Sequence, residues 1–567
     1  MVTKVKDFRY ERADIKGAEA FVEKATKRVK KAKTAEEIVG IRNEVNAVMN
    51  TVSTHSSLSY IRHSLNVREK FYEDEQNYYD EFLPPLWAKV ASFDKAIVSS
   101  PHAAELEKLL GSVLMENMRA EARVTDDKIV PDLVEENKLV SEYDRLLAEL
   151  TFPWEGKALT LSEITKHTKA ENRETRKKAF TVIGETLEGI SDKLDALYDK
   201  LVKVRTAMAK KMGFDDFVEM GDLRIGHVGY GRKEIAVFRE STLKYAVPAL
   251  KALKDKLAVK LGIEGGMHIY DNNNYISGGN IDPVGTAEDL FKAAQAMYDD
   301  MDKGLGAFFK EMCEAEAIDY VSRDGKMTGG YAELLYGFGQ PFIFANFNGT
   351  MDDVGVLTHE FGHAYAFKRA YVNRIDPTVL VGGMETAETH SMSMEQLANK
   401  YNDKFYGANA KKATYQQVFD AFSFLPYGVI VDVFQEIVYK NPDMTPEGRK
   451  SLWLELESAF RPYLDMSDVP YINKGGRWQY QRHIYEVPFY YIDYCLSTVM
   501  ALQFGVLAET DYDAALSKYL NLVEAGGTKS LSLLAHEAGF VSPFDNDSLK
   551  TLCADVSKYI NRLEEAL

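Results

Sequence analysis

Cysteine is nearly absent. Three residues in 567, Cys313, Cys495 and Cys553, are odd in number and far apart. They form neither a disulfide framework nor a cysteine-based zinc spacing, and they suit a reducing compartment. Positive charge is also short: 69 Lys and Arg against 86 Asp and Glu leave a formal net charge of −17. That balance argues against nucleic acid or an anionic membrane as the main partner. Long apolar runs are missing too. The closest, 421–434, is interrupted by Ser423, Pro426 and Asp432, so no membrane span is expected. The first twenty residues carry charge from the start and lack the apolar core of a signal peptide, so a cytoplasmic protein is expected. There is no internal repeat and no low-complexity tail.

The remaining composition is that of a soluble globular chain, 46% hydrophobic and 27% charged. Its length exceeds one ordinary domain, so two or three lobes are expected. Residues from about 16 to 150 read as helices, with Ile15, Ala18, Phe21, Val22, Ala25, Val29 and Ala32 on a 3.6-residue period. A second long helix is expected through Tyr60–Phe82. Phe152 to Leu161 predicts a hairpin turned at Glu155-Gly156. Helices resume near Ser162, with Asn172 as an N-cap, and run to about 213. The stretch 226–231, Gly-His-Val-Gly-Tyr-Gly, reads as a loop rather than a phosphate cradle, because no clear strand precedes it. A helix is expected over 232–260, a loop over 271–280 and helices to about 318.

The most informative stretch is His359-Glu360-Phe361-Gly362-His363. On a helix, positions i and i+4 share a face, so both imidazoles can reach one ion. Glu360 points about 100° away and can hold a water against that ion. Gly362 costs roughly 1 kcal/mol of helix propensity, which a purely structural helix has no reason to accept. Neutral imidazoles suit zinc, and a catalytic zinc needs a third protein ligand and an open position for water. The bland alternative is two histidines that pack or face solvent. A second His-Glu pair, His536-Glu537, has Phe540 where the second histidine would stand and reads as structural.

Residues 341–348, Pro-Phe-Ile-Phe-Ala-Asn-Phe-Asn, read as a strand just ahead of the motif helix. An open edge there, around Ile343 and Ala345, would hold an extended peptide backbone; a strand paired on both sides is the alternative. After a break at Pro377 and Gly382-Gly383, a second helix begins near Met384. Glu385, Glu388 and Glu395 lie on roughly one face of it, and geometry alone allows any of them as third ligand. His390 projects elsewhere and reads as a supporting or structural residue.

His359–His363, a spacer of about two dozen residues, then Glu388 with Ser391 and Glu395 behind it, resembles the oligoendopeptidase F and thimet oligopeptidase metallopeptidases. Pro341-Phe-Ile, Asn346-Phe, Thr350 and Asp353 are similar to the oligoendopeptidase F branch, as are Phe152–Thr160 with Asn172-Arg173 and Tyr230, Phe238-Arg239 and Pro248. The resemblance covers nearly the whole chain. It implies a mainly α fold: a two-lobed helical shell around a deep channel, with a small β-sheet beside the zinc helix. An N-terminal helical lobe over 1–200 and a catalytic lobe over 201–567 are expected.

The resemblance further implies one Zn2+ per chain held by His359, His363 and Glu388, with Glu395 orienting a ligand histidine and Glu360 as general base. His483, Tyr485, Pro488, Tyr490, Tyr491 and Tyr494 resemble the family's His/Tyr wall. There His483, Tyr491 and Tyr494 would steady the oxyanion, with Gly329, Gly330, Ile343, Ala345 and Tyr490 on the substrate. The spacing departs from the family pattern as if one residue were inserted before Phe489, so the choice among the three tyrosines stays open. The expected activity is zinc-dependent cleavage of internal bonds in short peptides. A zinc exopeptidase with a similar shell and a non-catalytic peptide-binding protein are the alternatives. Oligomeric state, cleavage preference and replacement of zinc by cobalt or manganese are not readable from the sequence.

Overall fold

The structure, a computed structural model, describes residues 3–279 and 281–567. Asn280, the last residue of the expected loop, lies outside them. Helices dominate and the sheets are small, as the patterning requires. The chain forms two compact units, each assembled from three stretches. One comprises Met1–Asp127, Asp282–Ala410 and Leu507–Phe540; the other comprises Lys128–Ile281, Lys411–Val506 and Val541–Leu567. The division expected at residue 200 falls inside the unbroken helix Ser191–Met212. Sequence-distant stretches share a core here, so no single cut separates the units.

In the first unit, Ile15–Val29 starts at Asp14, whose carboxylate accepts from Gly17 N at 2.9 Å. Ala35–Leu65 starts at Thr34, which accepts from Glu37 N at 3.2 Å. Both are side-chain N-caps that satisfy otherwise orphaned amides. The stripe Ile15, Ala18, Val22, Ala25 and Val29 is buried against Ile38, Ile41 and Val45 of the second helix and Phe93 and Ile97 of a third, Lys70–Val98. Ala370, Ile375 and Val379 complete the same cluster, so this core braces the C-terminal end of the motif helix. The continuous helix expected over Tyr60–Phe82 is interrupted at 66–69. Asn66 Oδ1 accepts from Arg68 N at 3.2 Å, and Val67 N donates to Gly325 O at 2.8 Å. A short polar side chain competing for backbone amides ends the helix there.

The sheet beside the motif helix has three strands in the order Ile318–Val321, Gln340–Phe347, Tyr331–Leu335. Gln340–Phe347 is the middle strand, parallel to the first and antiparallel to the last. Ile343 pairs with Ile318 on one side and Ala332 on the other, and both Ile343 and Ala345 are buried. The open edge expected around Ile343 and Ala345 is therefore not there. Among the described residues the two outer strands of this sheet, Ile318–Val321 and Tyr331–Leu335, each pair on one side only, and Tyr331–Leu335 is the one that follows Gly329-Gly330.

In the second unit, the hairpin appears as Phe152–Trp154 paired with Lys157–Leu159, and Glu155 and Gly156 turn it at positive φ. Asn172 caps Arg173–Glu188, accepting from Thr175 N at 3.0 Å. The helix expected over 232–260 runs through a π turn at Thr242–Ala246, just before Pro248. Proline has no amide to give the regular ladder, and the wider turn absorbs that loss. Two stretches, Met384–Lys440 and Tyr491–Thr510, are long and apolar enough by length and composition to cross a bilayer, contrary to expectation, but 72% and 67% of their apolar windows are buried by protein.

This unit also buries Arg205 completely. It donates to Glu136 at 2.6 Å, to the Tyr439 hydroxyl at 2.9 Å and to Tyr485 O at 2.5 Å. Arg205→Ala should lower stability by about 3–5 kcal/mol, because Glu136 and two further acceptors lose a buried partner. Denaturant unfolding of the full chain measures it.

Candidate metal centre

Helix Met351–Val372 carries the motif. Its start is fixed by Asp353, whose carboxylate accepts from Asn348 N at 2.9 Å and Gly349 N at 2.7 Å. One turn apart, the His359 and His363 rings lie 4.8 Å between centroids, with their Nε2 atoms 3.2 Å apart. Helix Met384–Ala398 brings Glu388 Oε2 to 3.3 Å from His359 Nε2 and 3.6 Å from His363 Nε2. The three atoms form a nearly equilateral triangle. Ligands around a tetrahedral ion with bonds of ~2.0–2.1 Å must stand about 3.3–3.4 Å apart. Two imidazole lone pairs and a carboxylate that close repel one another unless a proton or cation lies among them. The donor set fits a divalent metal.

The surroundings tune each ligand. His359 Nδ1–H donates to Glu395 Oε1 at 2.7 Å, which leaves Nε2 as the ligand atom. Ser391 Oγ donates to Glu388 Oε2 at 3.2 Å and to Glu388 O at 2.9 Å. Burial alone would raise the Glu388 pKa, but the two imidazoles hold it well below the usual carboxylate range. Burial alone would lower that of His359, but Glu388 and Glu395 push it well up. Metal binding here would compete with protons, because the ligand histidines must be neutral to coordinate. Glu385, the geometric rival for third ligand, is outside the cluster and accepts from Thr386 Oγ1 at 3.1 Å. His390 is buried with neither ring nitrogen hydrogen-bonded, and burial pushes its pKa down to about 3. It packs; it does not ligate.

Glu360 lies beside the triangle. Its Oε2 is buried without a hydrogen-bond partner, and burial raises its pKa despite the two histidines. A Cβ on Gly330 would stand 3.6 Å from Glu360 Oε1, so this glycine at the head of the edge strand leaves room over the carboxylate. Gly329, at positive φ, has open space where a side chain would stand. In the C-terminal His-Glu pair, Glu537 ion-pairs with Lys529 at 2.6 Å on the surface, in keeping with a structural reading.

Gly362 has a stronger reason to be glycine than sequence showed. A Cβ there would lie 2.7 Å from Ser391 Cα and 2.8 Å from His390 O. The motif helix and the Glu388 helix touch backbone to backbone at this point, which no larger residue permits.

In the second unit the predicted aromatic residues do gather. The His483 ring lies 4.8 Å from Tyr491, 5.8 Å from Tyr490 and 5.9 Å from Tyr494, centroid to centroid. All four are half-buried. Gln481, which the sequence reading did not single out, sets the proton arrangement. Its Oε1 accepts from the Tyr427 hydroxyl at 2.6 Å, so its amide Nε2 donates to His483 Nδ1 at 3.0 Å. A neutral His483 accepting at Nδ1 carries its hydrogen on Nε2. Burial, helped by Arg482, pushes its pKa down to about 4, so the ring is neutral at pH 7 and donates through Nε2.

The chain also matches known proteins. Residues 5–125 match the peptidase M3 N-terminal domain and residues 166–553 match peptidase family M3. The chain belongs to peptidase family M3. Among solved structures, Pz peptidase A with a bound inhibitor is 36% identical, with 99% of both chains covered and a TM-score of 0.90. A protein from Bacillus anthracis str. Ames described as an oligoendopeptidase F is 33% identical over 100% of this chain and 99% of that one, with a TM-score of 0.85. Oligopeptidase PepF of Bacillus subtilis (strain 168) is 22% identical over 459 residues, 74% of this chain. The match spans 62% of the length of that curated relative.

Gly362→Ala should force the two helices apart and weaken metal binding about 10–100-fold, the range seen when ligand support is lost; dialysis against graded chelator followed by metal analysis reads this. His483 has a folded pKa of about 4 against 6.5 for the free side chain. Its neutral form is the folded one, so the stability it contributes is present above pH 6.5 and lost as pH falls from 6.5 towards 4. His483→Gln should therefore flatten the fall in Tm over that window.

Proposed function

We propose that this protein hydrolyses internal peptide bonds of short oligopeptides, with one zinc ion held by His359, His363 and Glu388. The observation that carries the reading is the ligand triangle with an unpartnered, buried carboxylate, Glu360, beside it. Zinc bound there would supply Lewis-acid polarisation of the scissile carbonyl and would acidify a water. Glu360 accepts the proton of the attacking water at its free carboxylate oxygen and returns it to the leaving amine nitrogen. Burial raises its pKa, which makes the carboxylate a stronger acceptor for that proton. Glu395 holds His359 in the tautomer that presents Nε2.

His483 donates from Nε2, and Tyr491 and Tyr494 from their hydroxyls, to the oxyanion that forms when water adds to the carbonyl. Neutral donors serve this better than a cation, because they stabilise the charge as it develops without binding ground-state carboxylates indiscriminately. Gly329-Gly330 and the edge strand Tyr331–Leu335 receive the substrate backbone by strand addition. Tyr490 remains assigned to substrate contact. The preference for short peptides is taken from the names of the relatives, an oligopeptidase and an oligoendopeptidase F. A cytoplasmic location is proposed from the scarcity of cysteine.

Glu360→Gln should keep the metal and lower kcat about 10²–10⁴-fold, the contribution of a general base; metal analysis alongside turnover checks both halves. Peptides of about 5–20 residues blocked at both ends, incubated with and without chelator and read by mass spectrometry, test the function itself. Internal cleavage abolished by chelator is expected. Cleavage only of free-ended peptides would show an exopeptidase, and metal binding with no turnover would show a binding protein.

A further inference from the structure

The turn that leads into helix Tyr491–Thr510 is held in an unfavourable conformation by a buried ionic cluster that no part of the proposed chemistry uses. Phe489, two residues before Tyr491, has φ +72°. A bulky residue in the left-handed region is strained and persists only where its surroundings dictate it. Here they do. Phe489 N donates to Gln435 Oε1 at 3.2 Å. Its ring lies under the Arg232 guanidinium at 4.4 Å and against Gly221, where a Cβ would come within 2.6 Å of it.

Arg232 belongs to a chain of buried charges. It ion-pairs with Asp222 and, at 3.0 Å, with Asp432. Asp432 is shared with Arg239, which also reaches Glu436 at 2.5 Å. Asp222 in turn lies 3.2 Å from Nδ1 of His227, whose Nε2 donates to Asp493 Oδ1 at 2.7 Å. His227 and Asp493 are both fully buried. Asp493 lies in the first turn of the helix, between Tyr491 and Tyr494, and its Oδ2 has no hydrogen-bond donor. Burial by itself would lower the His227 pKa, yet Asp493 and Asp222 raise it to about 10. Tyr230 adds a hydroxyl contact to Asp493 at 3.3 Å.

We infer that His227 is a positioning residue: a buried imidazolium clamped between Asp222 and Asp493 that fixes the first helical turn and thereby aims Tyr491 and Tyr494. The sequence reading placed His227 in an idle loop. Its partners show that the loop reaches into the core to answer Asp493, on the helical turn that carries the tyrosines. A buried carboxylate stripped of its partner would tilt or unwind that turn to find water. The inference rests on the proposed role of the tyrosines.

The test is a double-mutant cycle on the full-length, metal-loaded protein. His227→Gln removes the cation, and Tyr491→Phe with Tyr494→Phe removes the hydroxyls it is held to aim. His227→Gln alone should lower kcat about 10–100-fold, the scale of a displacement near 1 Å, with KM within about twofold and metal content unchanged. In the double-phenylalanine background the same substitution should cost little further. Losses that multiply in full would overturn the inference while leaving the tyrosines catalytic. Full activity of the double-phenylalanine protein would overturn it together with the role of the hydroxyls. Asp493→Asn, which keeps the shape but removes the charge that His227 answers, runs through the same cycle should His227→Gln not fold; its losses must likewise vanish with the hydroxyls gone.

Discussion

The backbone contact between the motif helix and the Glu388 helix is the constraint on which the metal centre depends. Helices with ordinary side chains at their crossing keep their axes 8–10 Å apart. A glutamate must extend from the second helix to within bonding distance of an ion held by the first. At Gly362 the missing Cβ lets Ser391 Cα and His390 O approach directly. Ser391 stands three residues after Glu388, so the crossing point and the ligand lie on adjacent turns. The same serine hydrogen-bonds the Glu388 carboxylate, which ties the ligand's rotamer to the crossing itself. What looks like a propensity defect in a helix is the condition for a third ligand.

That constraint explains why the rest of the first unit is built as it is. A close crossing offers little apolar area at its centre, so the stability that holds it must come from elsewhere. The cluster of Val22, Ile38, Ile41, Phe93 and Ile97 continues through Ala370, Ile375 and Val379 and anchors the far end of the motif helix. At the near end, Asp353 gathers the amides of Asn348 and Gly349. The helix is thus fixed at both ends, and its middle, with Leu357, Phe361 and Ala364 buried, carries His359, Glu360 and His363.

The candidate ligands were legible in part because helical periodicity translates spacing into facing, but spacing left Glu385, Glu388 and Glu395 open as the third, and only the family resemblance pointed to Glu388. His359 and His363 need only one turn of one helix, and Glu395 needs only to share a face with Glu388. Residues whose roles depend on tertiary neighbours were not legible. Ile343 and Ala345 sit in a segment that reads as a strand, and it is one; but whether a strand is central or at an edge is a property of its partners, and Ile318 and Ala332 occupy both sides. Gly329-Gly330 lead directly into one of the two outer strands, Tyr331–Leu335. Gln481 was invisible for the same reason: its effect on His483 comes from Tyr427, more than fifty residues away in the chain. The division into lobes failed at residue 200 because the units are woven from alternating stretches, and a linear reading assumes each closes on itself.

The two candidate halves of the chemistry differ in how they keep a histidine in its working state. His359 is held by acids on both nitrogens, which makes it an avid binder of protons or metal. His483 is held by an amide and an aromatic wall, which strips it of charge and leaves one defined donor. Each histidine has a glutamate or glutamine at Nδ1, but His359 also faces Glu388 at Nε2, whereas burial, helped by Arg482, is what keeps His483 neutral. A carboxylate at Nδ1 makes a ligand; a carboxamide whose oxygen is already engaged makes a neutral hydrogen-bond donor.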